Sequence, residues 1–311
     1  MLKNFKTERE RLEKSIFIAE FFKGTGSFEK EAKKYGIKTW TTDIDKNCNP
    51  DLCKNILDIE KEDIPKDVNV LWFSTPCDQY SHAHRVGKRN LKYADDCAEK
   101  CLKIISWFPN AIYFIENPQT GLLKDRDFMN GLPYFDVSYC KYGLPYRKQT
   151  RIWTNFIFWT PKNICKKDCE FIKNGKHIMS VGNGRIKYTL KNFSTKEKYK
   201  IPEELCSEII QSILTYKKAK LTQLNECEEI CREKIENKEL LERLSDLEHK
   251  QWVHWTEYMM KSIHDEDKFI RWEKQIKIPY SKLSEEDKEK DRIWARKVLE
   301  ELKQNLFGGE E

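Results

Sequence analysis

Three short apolar runs, at 15–22, 68–75 and 111–115, each stop abruptly in a polar turn, and stretches of helical composition lie between them. Nothing else in the chain restricts its fold as much, because continuous apolar runs this short are buried strands rather than helices. The first run leads into Gly24-Thr25-Gly26-Ser27. A helical stretch from Phe28 to Tyr35 follows, and Gly36 is placed to cap it. A further strand, Ile37 to Thr42, ends in Asp43-Ile44-Asp45. Between the runs at 68–75 and 111–115 the spacing predicts a helix over 91–107, with Ala94, Cys97, Ala98, Cys101 and Ile105 as its small or apolar positions. This recurring order predicts an α/β fold, a mostly parallel sheet with helices on both faces. Ligands of such sheets gather at the carboxyl ends of the strands.

The strand ends carry reactive groups. Leu71-Trp72-Phe73-Ser74-Thr75-Pro76-Cys77 presents one thiol, with Asp78, Gln79, Tyr80 and Ser81 after it. The run at 111–115 ends in Glu116-Asn117-Pro118. A free cysteine is most often a small buried residue. A thiol and a carboxylate at two strand ends instead favour covalent chemistry assisted by an acid. Gly24-x-Gly26 between a strand and a helix lets a ligand approach exposed backbone amides. Asp43 or Asp45, about twenty residues on, suits a pair of ribose hydroxyls. Asp58, read as a third strand end, suits an adenine amino group. The turn is too short for a phosphate-binding Walker loop and lacks its lysine, so the cofactor expected is nucleoside-like.

Composition narrows the setting. The 311 residues, 39% hydrophobic and 35% charged, suit one large and one small domain. No run is long enough to span a membrane and the Lys/Glu-rich start is no signal peptide, so the expectation is a soluble, cytoplasmic protein. Eleven cysteines without a secretory signal are expected to be reduced thiols. The net charge of +6 is unevenly placed: residues 137–200 hold 15 basic and 3 acidic side chains, a surplus of +12. A block of this kind reads as a phosphate-binding surface, against the plainer reading of a solvated lysine-rich face.

Taken in order, Phe22-x-Gly24-x-Gly26, Asp43, Asp58, Pro76-Cys77, Glu116-Asn117 and Gln149-x-Arg151 resemble the DNA (cytosine-5)-methyltransferase family of phage and prokaryotic type, over about residues 15–216. The resemblance implies a class I S-adenosylmethionine-dependent fold, with Phe22, Gly24, Gly26, Asp43, Asp58 and Pro76 around S-adenosylmethionine. It implies double-stranded DNA as partner, Cys77 as the thiolate that adds to carbon 6 of a flipped cytosine, Glu116 on the base's N3 edge, and Arg151 holding the base. Gln149, Ser81 and Asn117 would contact the substrate. The Cys77 pKa is expected to be lowered by a helix N-terminus after Pro76 or by Arg151. One branch of the family acts on transfer RNA, and a non-catalytic nucleic-acid-binding subunit is the remaining alternative. The chain departs from the family pattern at Trp153, where a second arginine is usual, and at Pro118. In place of a late Gly-Asn motif, Ser194-Thr195-Lys196-Glu197 leads straight to Ile201-Pro202, and Gly182-Asn183 is out of order.

The catalytic domain is thus expected at 1–153 and 194–220, with a short basic target-recognition region at 154–193. Cys140, Cys165, Cys169 and His177 are weak candidates for zinc, since their spacing is a poor finger pattern. His82 and His84 follow the catalytic loop and are as readily plain loop residues. A helical connector is expected over 221–238. Beyond it, Leu247-Glu248-His249-x-x-Trp252 and Pro279-Tyr280-Ser281 resemble the RyR repeat domain over 239–305, a helical appendage for a protein or small ligand. Ser284 is its expected helix cap, and Trp252, Trp255 and Trp294 its expected core.

Overall fold

The computed structural model describes residues 15–82, 88–179, 199–260 and 266–307. His84, Gly182-Asn183 and Ser194 to Glu197 lie outside the described residues. The chain divides into two compact units, one of them Ser15–Tyr216 and the other containing everything from Lys217 onward.

The first unit is built on a seven-stranded sheet in the order β3-β2-β1-β4-β5-β7-β6. The strands are β1 (Phe17–Phe21), β2 (Lys38–Asp43), β3 (Leu52–Cys53), β4 (Val70–Ser74), β5 (Ile112–Pro118), β6 (Tyr134–Ser138) and β7 (Gln149–Thr154). The first five run parallel, while β7 is antiparallel to both its neighbours. All of β1 and Val70–Phe73 of β4 are buried, because helices cover both faces. On one face α2 (Leu91–Trp107) sets Cys97, Cys101 and Ile104 against Ala19, Phe21, Leu71 and Phe73. On the other, α1 (Ser27–Lys34) and the start of α3 (Glu203–Glu236) bring Phe28, Leu205, Ile209 and Ile213 to Ile18, Trp72 and Phe114. Phe28 stacks on Trp72 with ring centroids 4.2 Å apart.

Strand order reverses between β1 and β4, and such a reversal opens a crevice at the strands' carboxyl ends. The Phe22–Gly26 turn and the Pro76-Cys77 loop flank that crevice. The helix expected over 91–107 forms with those bounds, opened by the Asn90 side chain accepting from the Tyr93 amide at 3.1 Å. The structure adds the strand β6 and a helix, α3, that continues to Glu236; one expectation differs, in that Asp58 does not end a strand. It closes a 3-10 turn, Ile56–Asp58, because the Asn55 side chain captures the Leu57 amide at 3.1 Å and turns the chain there.

In the second unit, α4 (Lys238–Met260), α5 (Glu266–Gln275) and α6 (Glu285–Phe307) are helical as expected. Ser284 does cap α6, its hydroxyl accepting from the Asp287 amide at 3.1 Å. The tryptophans are a correction: Trp255 and Trp294 are 53% and 58% exposed, and buried positions go to Ser245, His249, Thr256, Tyr280, Ala295 and Leu299. The His249 ring, with the half-buried Trp252 stacked on it, meets the Ile278 carbonyl at 2.9 Å and the Asp291 carboxylate at 3.2 Å, so a polar cluster holds the centre that Trp255 and Trp294 leave.

Candidate active site

After β1 the backbone passes three times into the left-handed region, at Phe22 (φ 55°), Gly24 (φ 48°) and Gly26 (φ 61°). Glycine enters that region freely; a bulky residue does so under strain, which collects at ligand sites. Two carboxylates hold the turn. Asp43 accepts from the Gly24 amide at 2.8 Å, and Glu20 accepts from the Phe28 and Glu29 amides at 3.4 and 2.8 Å. Glu20 is almost fully buried, and that burial pushes its carboxyl up to about 8.

The ends of β4 and β5 are locked together. Ser74 pairs with Glu116 in the parallel register. One residue further, the buried Asn117 amide donates to the Thr75 carbonyl at 3.1 Å and to its hydroxyl at 3.0 Å. This tie brings Cys77 and Glu116 to one cleft of about 410 Å3, whose lining also includes Glu20, Phe22, Gly24, Asp45, Pro76, Lys148 and Tyr199. Glu116, 6% exposed, accepts from the Tyr139 hydroxyl at 2.8 Å and pairs with Lys148 at 3.4 Å. Burial raises the Cys77 thiol, the Lys148 charge opposes the rise, and the Glu116 and Asp78 carboxylates add to it; the thiol titrates above its ordinary range. An adjoining hollow of about 60 Å3 shares Phe22 and Pro76 with the cleft and adds Asp43, Asn55, Ile56 and Tyr93.

The site residues expected from sequence therefore separate into two groups. Cys77, Glu116, Phe22, Gly24 and Pro76 line the main cleft, and Asp43 lines the hollow beside it. Gly26 begins α1 and shapes the turn from behind. Asp58 is exposed and lines neither.

Arg151, Gln149, Asn117 and Ser81 do not line the cleft either. Arg151 grips Asp136 with two bonds of 2.7 and 2.9 Å and lies 3.5 Å over the Tyr134 ring. The register explains this: Arg151 pairs with Asn117 and Asp136, while Glu116 pairs with Ile152, so the two side chains leave the sheet on opposite faces. The cation beside Cys77 is Lys148 rather than Arg151, and no helix starts directly after Pro76; α2 begins only at Leu91. The loop instead turns on Tyr80, fully buried, whose hydroxyl donates to Asp95 at 2.9 Å.

Sequence reasoning missed Glu20, Tyr139, Lys148 and Tyr199. Glu20 alone left a trace, as one acid inside an otherwise apolar strand. Lys148 and Tyr139 depend on the β6–β7 hairpin, which sequence did not reveal.

No family model matches the chain. A probable DNA (cytosine-5)-methyltransferase of Frog virus 3 (isolate Goorha) is 27% identical over 218 residues, 62% of this chain and 98% of that protein. Among solved structures, the Entamoeba histolytica methyltransferase EhMeth superposes with a TM-score of 0.39 at 17% identity, over 49% of this chain and 57% of its own. The S. pombe Dnmt2 methyltransferase does so at 0.34 and 15%, over 48% and 52%. The chain thus spans little more than half of each solved structure, and at these scores the superpositions add nothing to the strand order. That order, 3-2-1-4-5-7-6 with β7 antiparallel, is the mostly parallel α/β sheet with helices on both faces expected from the sequence. Among the described residues no helix is long and apolar enough to cross a membrane.

Proposed function

We propose that this chain transfers a methyl group from S-adenosylmethionine to carbon 5 of cytosine in double-stranded DNA, with Cys77 as the attacking nucleophile. The observation that carries the reading is the meeting of Cys77, Glu116 and the Phe22–Gly26 turn around one cleft. The similarity to the Frog virus 3 protein, over nearly all of that protein's length, supports it.

The cleft suits the cofactor. Three left-handed residues expose backbone at its edge, and two carboxylates order the amides behind it. Phe22, Gly24, Asp45 and Pro76 would hold S-adenosylmethionine, with Asp43 acting through the Gly24 amide. When bound, the cofactor supplies an electrophilic methyl group.

Carbon 5 of cytosine is too electron-poor to attack a methyl group unaided. Addition of the Cys77 sulfur at carbon 6 makes the ring nucleophilic at carbon 5. Glu116, fixed by Tyr139 and Lys148, protonates N3 as the ring takes up charge. Lys148 stabilises the thiolate as it forms. Once carbon 5 carries the methyl group, loss of its proton to water expels the sulfur and restores aromaticity, and N3 returns its proton to Glu116. A cytosine inside a duplex cannot reach this cleft, so the base is flipped out.

Incubation with labelled S-adenosylmethionine and duplex DNA should label the DNA, and Cys77→Ala should abolish the label. Persistent labelling with Cys77→Ala refutes the mechanism. Label confined to transfer RNA would move the activity to the other polymer, and label in neither would leave a non-catalytic binding protein. The C-terminal unit, by its RyR-like sequence, is read as a ligand-binding appendage. Its cavity of about 530 Å3, lined by Trp252, Trp255 and Trp294, supports this, and tryptophan fluorescence would report an occupant.

A further inference from the structure

Four residues that are scattered in sequence converge away from the catalytic cleft. Cys140, Cys165, Cys169 and His177 each offer a ligand atom, and all four atoms lie within 4.8 Å of one another. We propose that they form a tetrahedral zinc site that holds the basic lobe together and fastens it to the catalytic unit.

The distances fit the ion. Zinc–sulfur and zinc–nitrogen bonds of about 2.3 and 2.05 Å at a tetrahedral angle put sulfur and nitrogen roughly 3.6 Å apart. The His177 Nε2 lies 3.5 Å from the Cys165 sulfur and 3.3 Å from the Cys169 sulfur. Three thiolates and an imidazole close the coordination shell, which marks a structural rather than a catalytic site. Such a centre carries one net negative charge.

The scaffold presents the ligands from two directions. Cys140 sits buried in the 3-10 turn Tyr139–Tyr142, straight after β6. Cys165 and Cys169 flank a tight turn with Lys167 in the left-handed region at φ 68°. The Cys165 amide donates to the Ser138 hydroxyl at 3.1 Å. His177 ends β9 (Lys176–His177), which among the described residues pairs only with β8 (Ile172–Lys173). Isolated hairpins of this size are not stable alone. From 160 to 179, Cys165 is the one buried hydrophobic side chain among the described residues. This segment lacks a core, and a metal supplies the cross-link that a core would otherwise provide.

The anchor reaches the chemistry. Cys140 follows Tyr139, whose hydroxyl donates to Glu116. A metal at Cys140 therefore steadies the turn that positions the Glu116 partner. The inference does not depend on which nucleic acid is methylated.

The test uses the full-length protein, purified under reducing conditions with zinc and then desalted. Elemental analysis should find one zinc per chain, and cobalt substitution should give sulfur-to-cobalt charge-transfer and tetrahedral ligand-field bands. Cys165→Ser/Cys169→Ser should lose the metal, while Cys227→Ser/Cys231→Ser, which removes two exposed thiols of α3, should keep it. The His177→Cys variant should stay metallated and intensify the charge-transfer bands. The proposal is overturned if the reduced wild-type protein takes up neither metal, or if zinc follows Cys227 and Cys231. Stoichiometric zinc in the Cys165/Cys169 variant, or an unaltered cobalt spectrum in His177→Cys, would overturn it equally.

Discussion

The proposed mechanism requires Cys77 to become a thiolate in a place where burial opposes it and Lys148 favours it. In the free protein, alkylation of Cys77 followed by peptide mass spectrometry should be slow at neutral pH and accelerate above the ordinary thiol value of 9.0. Replacing Lys148 by methionine should slow labelling at a given pH, because the charge that opposes the upward shift is lost. Equal rates in the two proteins would remove Lys148 from the mechanism. Glu20 makes the second residue-scale prediction. Its carboxyl is raised from 4.5 to about 8 in the folded chain, so folding favours the protonated form. That contribution is complete below the ordinary value and lost as pH rises through about 8. Thermal unfolding should show stability falling between pH 5 and pH 9 by on the order of a few kcal/mol, and Glu20→Gln should flatten the profile.

Between elements, two connections position the site. Asn117 is read from sequence as a substrate contact, yet its side-chain amide ties the end of β5 to Thr75 beyond β4. Asn117→Ala leaves the Thr75 carbonyl without that bond in a buried place, at a cost of about 2 kcal/mol. Chemical denaturation should show that loss, and methyl transfer should fall further than stability because Cys77 and Glu116 lose their shared register. The other connection is the turn from β1 into α1. An added Cβ at Gly26 would stand 3.0 Å from a Glu29 oxygen and 3.3 Å from the Lys23 side chain, at φ 61°. Gly26→Ala should cost about 1–2 kcal/mol and weaken S-adenosylmethionine binding measured by calorimetry.

At the scale of the molecule, charge is segregated. Residues 137–200 hold the basic surplus, and of these 137–179, 199 and 200 are described. Lys166, Lys173 and Lys176 are exposed in this block. If they contact phosphates, changing all three to glutamate should lower DNA affinity and flatten the plot of log affinity against log salt by about 0.9 per lost contact. An unchanged slope would make the block a solvated face only.

Sequence by itself determined what local chemistry can specify. A buried parallel strand must be continuously apolar, so β1, β4 and β5 were visible, and with them the thiol and carboxylate at their ends. The 3.6-residue spacing over 91–107 likewise marked α2 with its full bounds. Tertiary structure decided everything that depends on register between distant segments. The pairing of β7 with β5 sends Arg151 to Asp136 and leaves Lys148 beside Glu116, a choice invisible in the run Lys148-Gln149-Thr150-Arg151. The strand β6 has no clear alternating pattern, and its hairpin alone brings Tyr139 to the site and Cys140 to Cys165, Cys169 and His177. Spacing made those four a poor metal motif because a motif records only ligands that are close along the chain. Folding closes the loop between 140 and 165, and the set is complete only in three dimensions.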